Sequence, residues 1–135
     1  MAFFEFTRSK VDRFRRGRQR QTDDEFWLQC GLPDTPRAKQ IALAVRRAVA
    51  NVGLVDSQFI QPEDRHPGTL EVLPIWDSMD WVAFQMELER ELAEPVDDDV
   101  LNMVSKGRSV TVREMAERMY AILCDAPEDS PPQQS

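Results

Sequence analysis

The stretch from Thr35 to Gly53 constrains this chain more than any other. Thr35-Pro36 sets an N-cap residue before a proline at the first helical position, a strong helix start. Ile41, Val45, Ala48, Val49 and Val52 then recur at helical spacing, opposite Arg37, Gln40, Arg46 and Arg47. Gly53 is expected to end the helix in the left-handed conformation. One apolar stripe cannot stay in water alone, so further helices must cover it.

Those helices lie C-terminal to it. A helix over Asp77–Leu92 carries Trp81, Phe84, Leu88 and Leu92 as a core stripe, with Met79, Val82 and Met86 as a second apolar edge and Glu87, Glu89 and Glu91 on the outer side. Asp97-Asp98-Asp99 caps a short helix from Val100 to Val104. Thr111 to Cys124 gives the last one, with Val112, Met115, Met119, Ile122 and Leu123 as its apolar face. Between the first two helices, Pro62, Pro67, Gly68 and Pro74 exclude a continuous helix over 54–76. Leu54, Phe59, Ile60, Leu70, Val72 and Leu73 are expected to pin this long loop to the core, with His66 solvated at its polar centre. No segment alternates as a strand would. The expectation is an all-α protein, a small four-helix bundle with a long loop between its first and second helices.

Charge divides the chain further. The net charge of −7 combines +5 over residues 1–20 with −12 over the remainder. The division expected is a basic arm with a short apolar helix over 1–34, the bundle over 35–125, and a Pro/Ser/Gln-rich disordered tail over 126–135. A helix over Phe3–Gln21, with Phe3, Val11 and Phe14 among arginines, suits a membrane surface or an acidic protein groove, or else stays a solvated arm. A second helix start at Thr22-Asp23-Asp24-Glu25 leads to Phe26-Trp27-Leu28 and ends at Gly31, with Trp27 read as core or interface rather than a binding platform. The acidic body repels phosphates, so nucleic acid is disfavoured as a partner. No apolar run spans a bilayer and no secretory leader is visible, so a cytoplasmic monomer is expected. Cys30 and Cys124 are far apart and His66 stands alone, which gives no metal site and reads as two reduced thiols.

The best functional lead is Trp76-Asp77-Ser78-Met79-Asp80-Trp81. Asp77 can cap the helix it opens, and Asp80 sits where a capping-box carboxylate reaches back. Ser78 then falls in the first turn, where free N–H groups and the positive helix end favour a phosphoryl group. With no histidine partner apparent for Ser78 and no phosphate-cradling glycine loop in the sequence, a hydroxyl modified by another enzyme fits better than a catalytic serine.

This pattern resembles the acyl carrier proteins. Asp77-Ser78-Met79-Asp80 stands where that family has Asp-Ser-Leu-Asp/Glu, and Val82, Phe84, Met86, Leu88 and Leu92 repeat its second-helix rhythm. Ile60, Pro62 and Asp64 resemble its loop motif, and Thr111-Val112 the start of its fourth helix, so the likeness covers roughly Pro36–Cys124. The resemblance implies 4′-phosphopantetheine attached covalently to Ser78, between Asp77 and Asp80, carrying acyl groups as thioesters without catalytic activity of its own. It implies a docking surface of Met79, Val82, Met86, Glu87 and Glu89 for a phosphopantetheinyl transferase and acyl-transferring enzymes, in lipid metabolism such as fatty acid biosynthesis. Ile75 in place of the usual glycine, Trp76 before the motif, Ala83 and Arg90 depart from the family pattern and point to a specialised carrier. The alternative is a carrier-like fold that binds partners without modification.

Overall fold

The computed structural model describes residues 2–73 and 81–125. Within them the chain is mostly helical, a small all-α fold with one minimal β-ladder. Helices α1 (Ala2–Arg15), α2 (Asp23–Cys30) and α3 (Pro36–Gly53) are followed by a long connection. Helices α4 (Trp81–Leu92), α5 (Asp98–Val104) and α6 (Val112–Tyr120) follow it, α6 running into a π-helical turn over Ala121–Asp125. Strand β1 (Arg65–His66) pairs antiparallel with β2 (Val110–Thr111), Arg65 opposite Thr111 and His66 opposite Val110. Among the described residues no helix is long and apolar enough to cross a membrane.

Helix α3 is the axis of the packing. Thr35 Oγ1 accepts from the Ala38 N–H at 3.1 Å, and Pro36 removes a donor that would lack a partner there. The helix lies against α2, α4 and α6, and Ile41, Val45, Ala48 and Val49 are fully buried. Two sequence expectations fail at its polar edge and its end. Arg46, assigned to the solvent side with Arg37 and Arg47, is completely buried. It is buried because α2 and the loop close over that side and supply acceptors for the whole guanidinium. Nε donates to the Ile60 carbonyl at 3.1 Å, Nη1 to Asp23 at 2.9 Å, and Nη2 to the carbonyls of Gln21 at 2.9 Å and Gln58 at 3.2 Å. The cation also sits 4.6 Å from the centre of the Phe26 ring. Burial lowers its pKa, opposed by the bond to Asp23.

At the end of α3 the left-handed residue is Leu54 (φ 61°), with Gly53 still helical. The Leu54 N–H reaches Asn51 O and the Val55 N–H reaches Ala50 O, a Schellman closure that turns Val55 inward and leaves Leu54 exposed. Leu54 is thus no core anchor.

The loop is pinned by side chains and by hydrogen bonds to α6. Phe59, Ile60, Leu70 and Leu73 are buried, and Val72 packs at the core's edge. The Pro62 and Asp64 carbonyls accept from the N–H groups of Arg113 and Val112, which have no partner within α6. Thr111 and Glu114 complete a reciprocal capping box, Thr111 N–H to Glu114 at 2.8 Å and Glu114 N–H to Thr111 Oγ1 at 3.0 Å. His66 is half-buried rather than solvated, because β1 holds it beside α4.

The basic segment folds onto this body. Phe14 is buried, and Arg18 makes a two-pronged bond to the buried Asp64 at 2.9 and 2.6 Å while its guanidinium lies 3.8 Å from the Phe14 ring centre. Asp64 also accepts from the Gln61 N–H at 2.8 Å. In α2, Thr22 and Glu25 form another capping box and place Phe26, Trp27 and Cys30 in the core.

Two measurements check this account. Arg46→Ala strips partners from three backbone carbonyls at once, and urea unfolding should show a loss of about 3 kcal/mol. The Thr111 N–H lowers the Glu114 pKa. Its contribution is therefore present above the unfolded carboxyl pKa and is lost as pH falls through the lower folded value. Glu114→Gln should lower stability by about 0.5 kcal/mol at neutral pH, and the gap to wild type should close in acid.

Candidate functional site

Leu73 and Trp81 bracket the candidate site. Leu73 is fully buried, and Trp81 opens α4 with its indole set edge-on to two rings, His66 at 5.6 Å and Phe84 at 5.5 Å between centroids. The chain is thus fastened on both sides of residues 74–80. Asp77, Ser78, Met79 and Asp80, with Ile75 and Trp76, lie outside the described residues.

The described part of the site is α4 itself. Phe84, Leu88 and Leu92 form its buried stripe against α3, as their spacing predicts, while Trp81, expected in that stripe, is only half-buried at the helix start. Val82 and Met86 form a separate edge, 52% and 63% exposed, which distinguishes an uncovered apolar strip from one wide core face. Methionine on such an edge adapts to differently shaped surfaces.

The acidic residues divide between two sides. Glu87 faces α3, where it accepts from Asn51 at 3.1 Å, and it is also paired with Arg90. Glu89 lies on the flank of Val82 and Met86 by helical position, and its carboxylate accepts from the Val96 N–H at 2.8 Å. Gln85, one turn before it, donates to the Val96 carbonyl at 2.6 Å, so the two side chains together hold the turn into α5. The exposed strip is therefore apolar with mixed charge at its rim, and the Arg90 cation lowers its negative potential.

Other chemistry is sparse among the described residues. No group of three or more His, Cys, Asp or Glu side chains is placed to hold a metal ion. Cys30 is buried, and burial pushes its thiol up to about 11, the behaviour of an inert core cysteine. Cys124 is half-buried and also unpaired. The ends of α5 and α6 enclose a cleft of about 290 Å³ lined by Met103, Lys106, Arg118, Ala121 and Ile122. Arg118 spans its mouth, donating to the carbonyls of Val104 at 3.0 Å and Lys106 at 2.7 Å. Nothing in the apolar spacing marks this cleft, and Met103 on its wall is 57% exposed. The Arg18–Asp64 bond was equally hidden, since Arg18 is one of several arginines in a run and nothing local separates it from its neighbours.

No family model, curated protein or solved structure matches this chain.

The two edges of α4 should respond differently to truncation. Phe84→Ala should cost about 3–5 kcal/mol in urea unfolding. Met86→Ala should change stability by less than about 0.5 kcal/mol.

Proposed function

We propose that this chain is an acyl carrier protein, with Ser78 as the attachment point of 4′-phosphopantetheine and the exposed edge of α4 as its docking surface. In this reading α3, α4, α5 and α6 are the four helices of a carrier bundle, and α1 and α2 are an N-terminal extension. The observation that carries it is the strip of Val82 and Met86, left open on the helix that follows Asp77-Ser78-Met79-Asp80 directly in sequence. A carrier needs its attachment residue next to the surface that enzymes grip, so that one encounter presents both.

The described residues are compatible with such a group. Leu73 is buried and Trp81 packs against Phe84, so the described chain is held on either side of residues 74–80. Asp77 and Asp80 serve as helix-start carboxylates in this proposal, and Met79 extends the apolar edge toward the serine. Glu89 and Glu87 act at the margin of the contact. When attached, the group supplies a terminal thiol on a long flexible arm, which holds acyl groups while partner enzymes act on them. The protein itself needs no catalytic residue, and a cytoplasmic monomer meeting a transferase and acyl-transferring enzymes in turn suffices.

One observation favours the second reading, a carrier-like module that is never modified. Arg90 engages Glu87 and Glu89 is occupied by Val96, which weakens the acidic field through which a transferase would be drawn.

Incubation with coenzyme A and a broad-specificity phosphopantetheinyl transferase, followed by intact mass, separates the two. One phosphopantetheine should be added to the wild type and none to Ser78→Ala. Failure of the wild type to load, while a control carrier loads in the same tube, would overturn the carrier reading.

A further inference from the structure

We propose that α1 is an anionic-membrane docking element, held in a fixed orientation on the bundle and presenting a row of arginines to phospholipid headgroups. The proposal does not rest on the carrier reading.

The inward side of α1 is accounted for. Phe14 is buried, Val11 packs against the core, and the helix lies on the Thr69–Val72 turn of the loop. Arg18 then locks the segment through Asp64, donating also to the Phe59 carbonyl at 3.2 Å. A basic arm free in solution would have no preferred outer face. This one does.

On that outer face Arg8, Asp12, Arg13, Arg15 and Arg16 are all exposed. Arg15 meets Asp12 only loosely, at 3.8 Å. Among the described residues, Arg8, Arg13 and Arg16 pair with no carboxylate, in a chain that has 24 acidic residues to offer. Beside them a cleft of about 420 Å³ is lined by Asp12, Arg15, Arg16, Arg18 and Phe59. Arg15 lies over the Phe59 ring at 5.4 Å, so the cleft sets the Arg15 and Arg16 guanidinium groups beside an aromatic face, with Asp12 at its edge and Arg18 held by Asp64. A phosphate oxygen there meets the planar donors of Arg15 and Arg16.

Charge complementarity requires an anionic partner, and the shape and composition favour a bilayer. A helix of 14 residues lies flat over about 21 Å, and an extended headgroup layer can meet its whole length. Its sequence opens with Phe3, Phe4 and Phe6, aromatic content typical of interfacial helices. The −12 of the remaining chain opposes close approach by the bundle but acts little across more than a screening length, so α1 must lead.

The test is co-sedimentation of the full chain with phosphatidylglycerol/phosphatidylcholine vesicles and with phosphatidylcholine alone, at low and high salt. The wild type should bind the anionic vesicles at low salt, release in high salt, and ignore the neutral ones. The triple variant Arg8→Gln/Arg13→Gln/Arg16→Gln removes no ion pair among the described residues, so its unfolding curve should match wild type. Its partitioning should fall by about 100-fold, roughly fivefold for each arginine. Absence of vesicle binding, equal binding to both lipids, or an undiminished triple variant would overturn the proposal. So would salt-sensitive binding to an RNA oligonucleotide or to polyglutamate without vesicle binding.

Discussion

A guanidinium cut off from water must find its hydrogen bonds inside the protein, and Arg46 finds all of them on segments outside its own helix. Its acceptors are Asp23 at the start of α2, the Gln21 carbonyl before it, and the Gln58 and Ile60 carbonyls of the loop. One side chain on α3 therefore fixes where the N-terminal segment and the long connection cross the bundle. The desolvation of the cation is offset only while every acceptor is in place, which makes the arrangement cooperative. The hydrophobic stripes hold helix on helix. Arg46 decides how the irregular chain is laid over them.

The same logic extends outward through Asp64. Its carboxylate takes the Arg18 fork and the Gln61 N–H, while its backbone carbonyl takes the first N–H of α6. The loop is thus a structural part of the bundle, with its own buried side chains and a two-residue ladder to β2. The two proposals fall on surfaces this framework does not use, namely the Val82/Met86 edge of α4 and the outward face of α1. The two differ in character, one apolar with a balanced rim and the other cationic.

Periodic features were legible from the sequence, because helical spacing and cap residues act locally. Thr35-Pro36, Thr22 with Glu25, Asp97 before α5 and Thr111 before α6 all sit at helix starts, and Phe84, Leu88 and Leu92 are buried together. What escaped depends on distant partners. Arg46 has the spacing of a solvent-side residue, and only the loop carbonyls from Gln58 and Ile60 explain its burial. Leu54 assumed the left-handed role expected of Gly53, since the closure onto Ala50 and Asn51 falls one residue later. Glu87 and Glu89 read as one acidic face, yet Asn51 draws one toward α3 and Val96 ties down the other. The motif around Ser78 was legible as a motif. Its residues lie outside those the structure describes, between Leu73 and Trp81.

The carbonyls of Pro62 and Asp64 serve as acceptors for the opening turn of α6, so the connection and the last helix are a single mechanical piece. Domain grafting between helical proteins commonly treats such connections as interchangeable cassettes. Here a shorter replacement would unseat the final helix at its root, and a graft that kept α6 would have to carry residues 60–66 along with it.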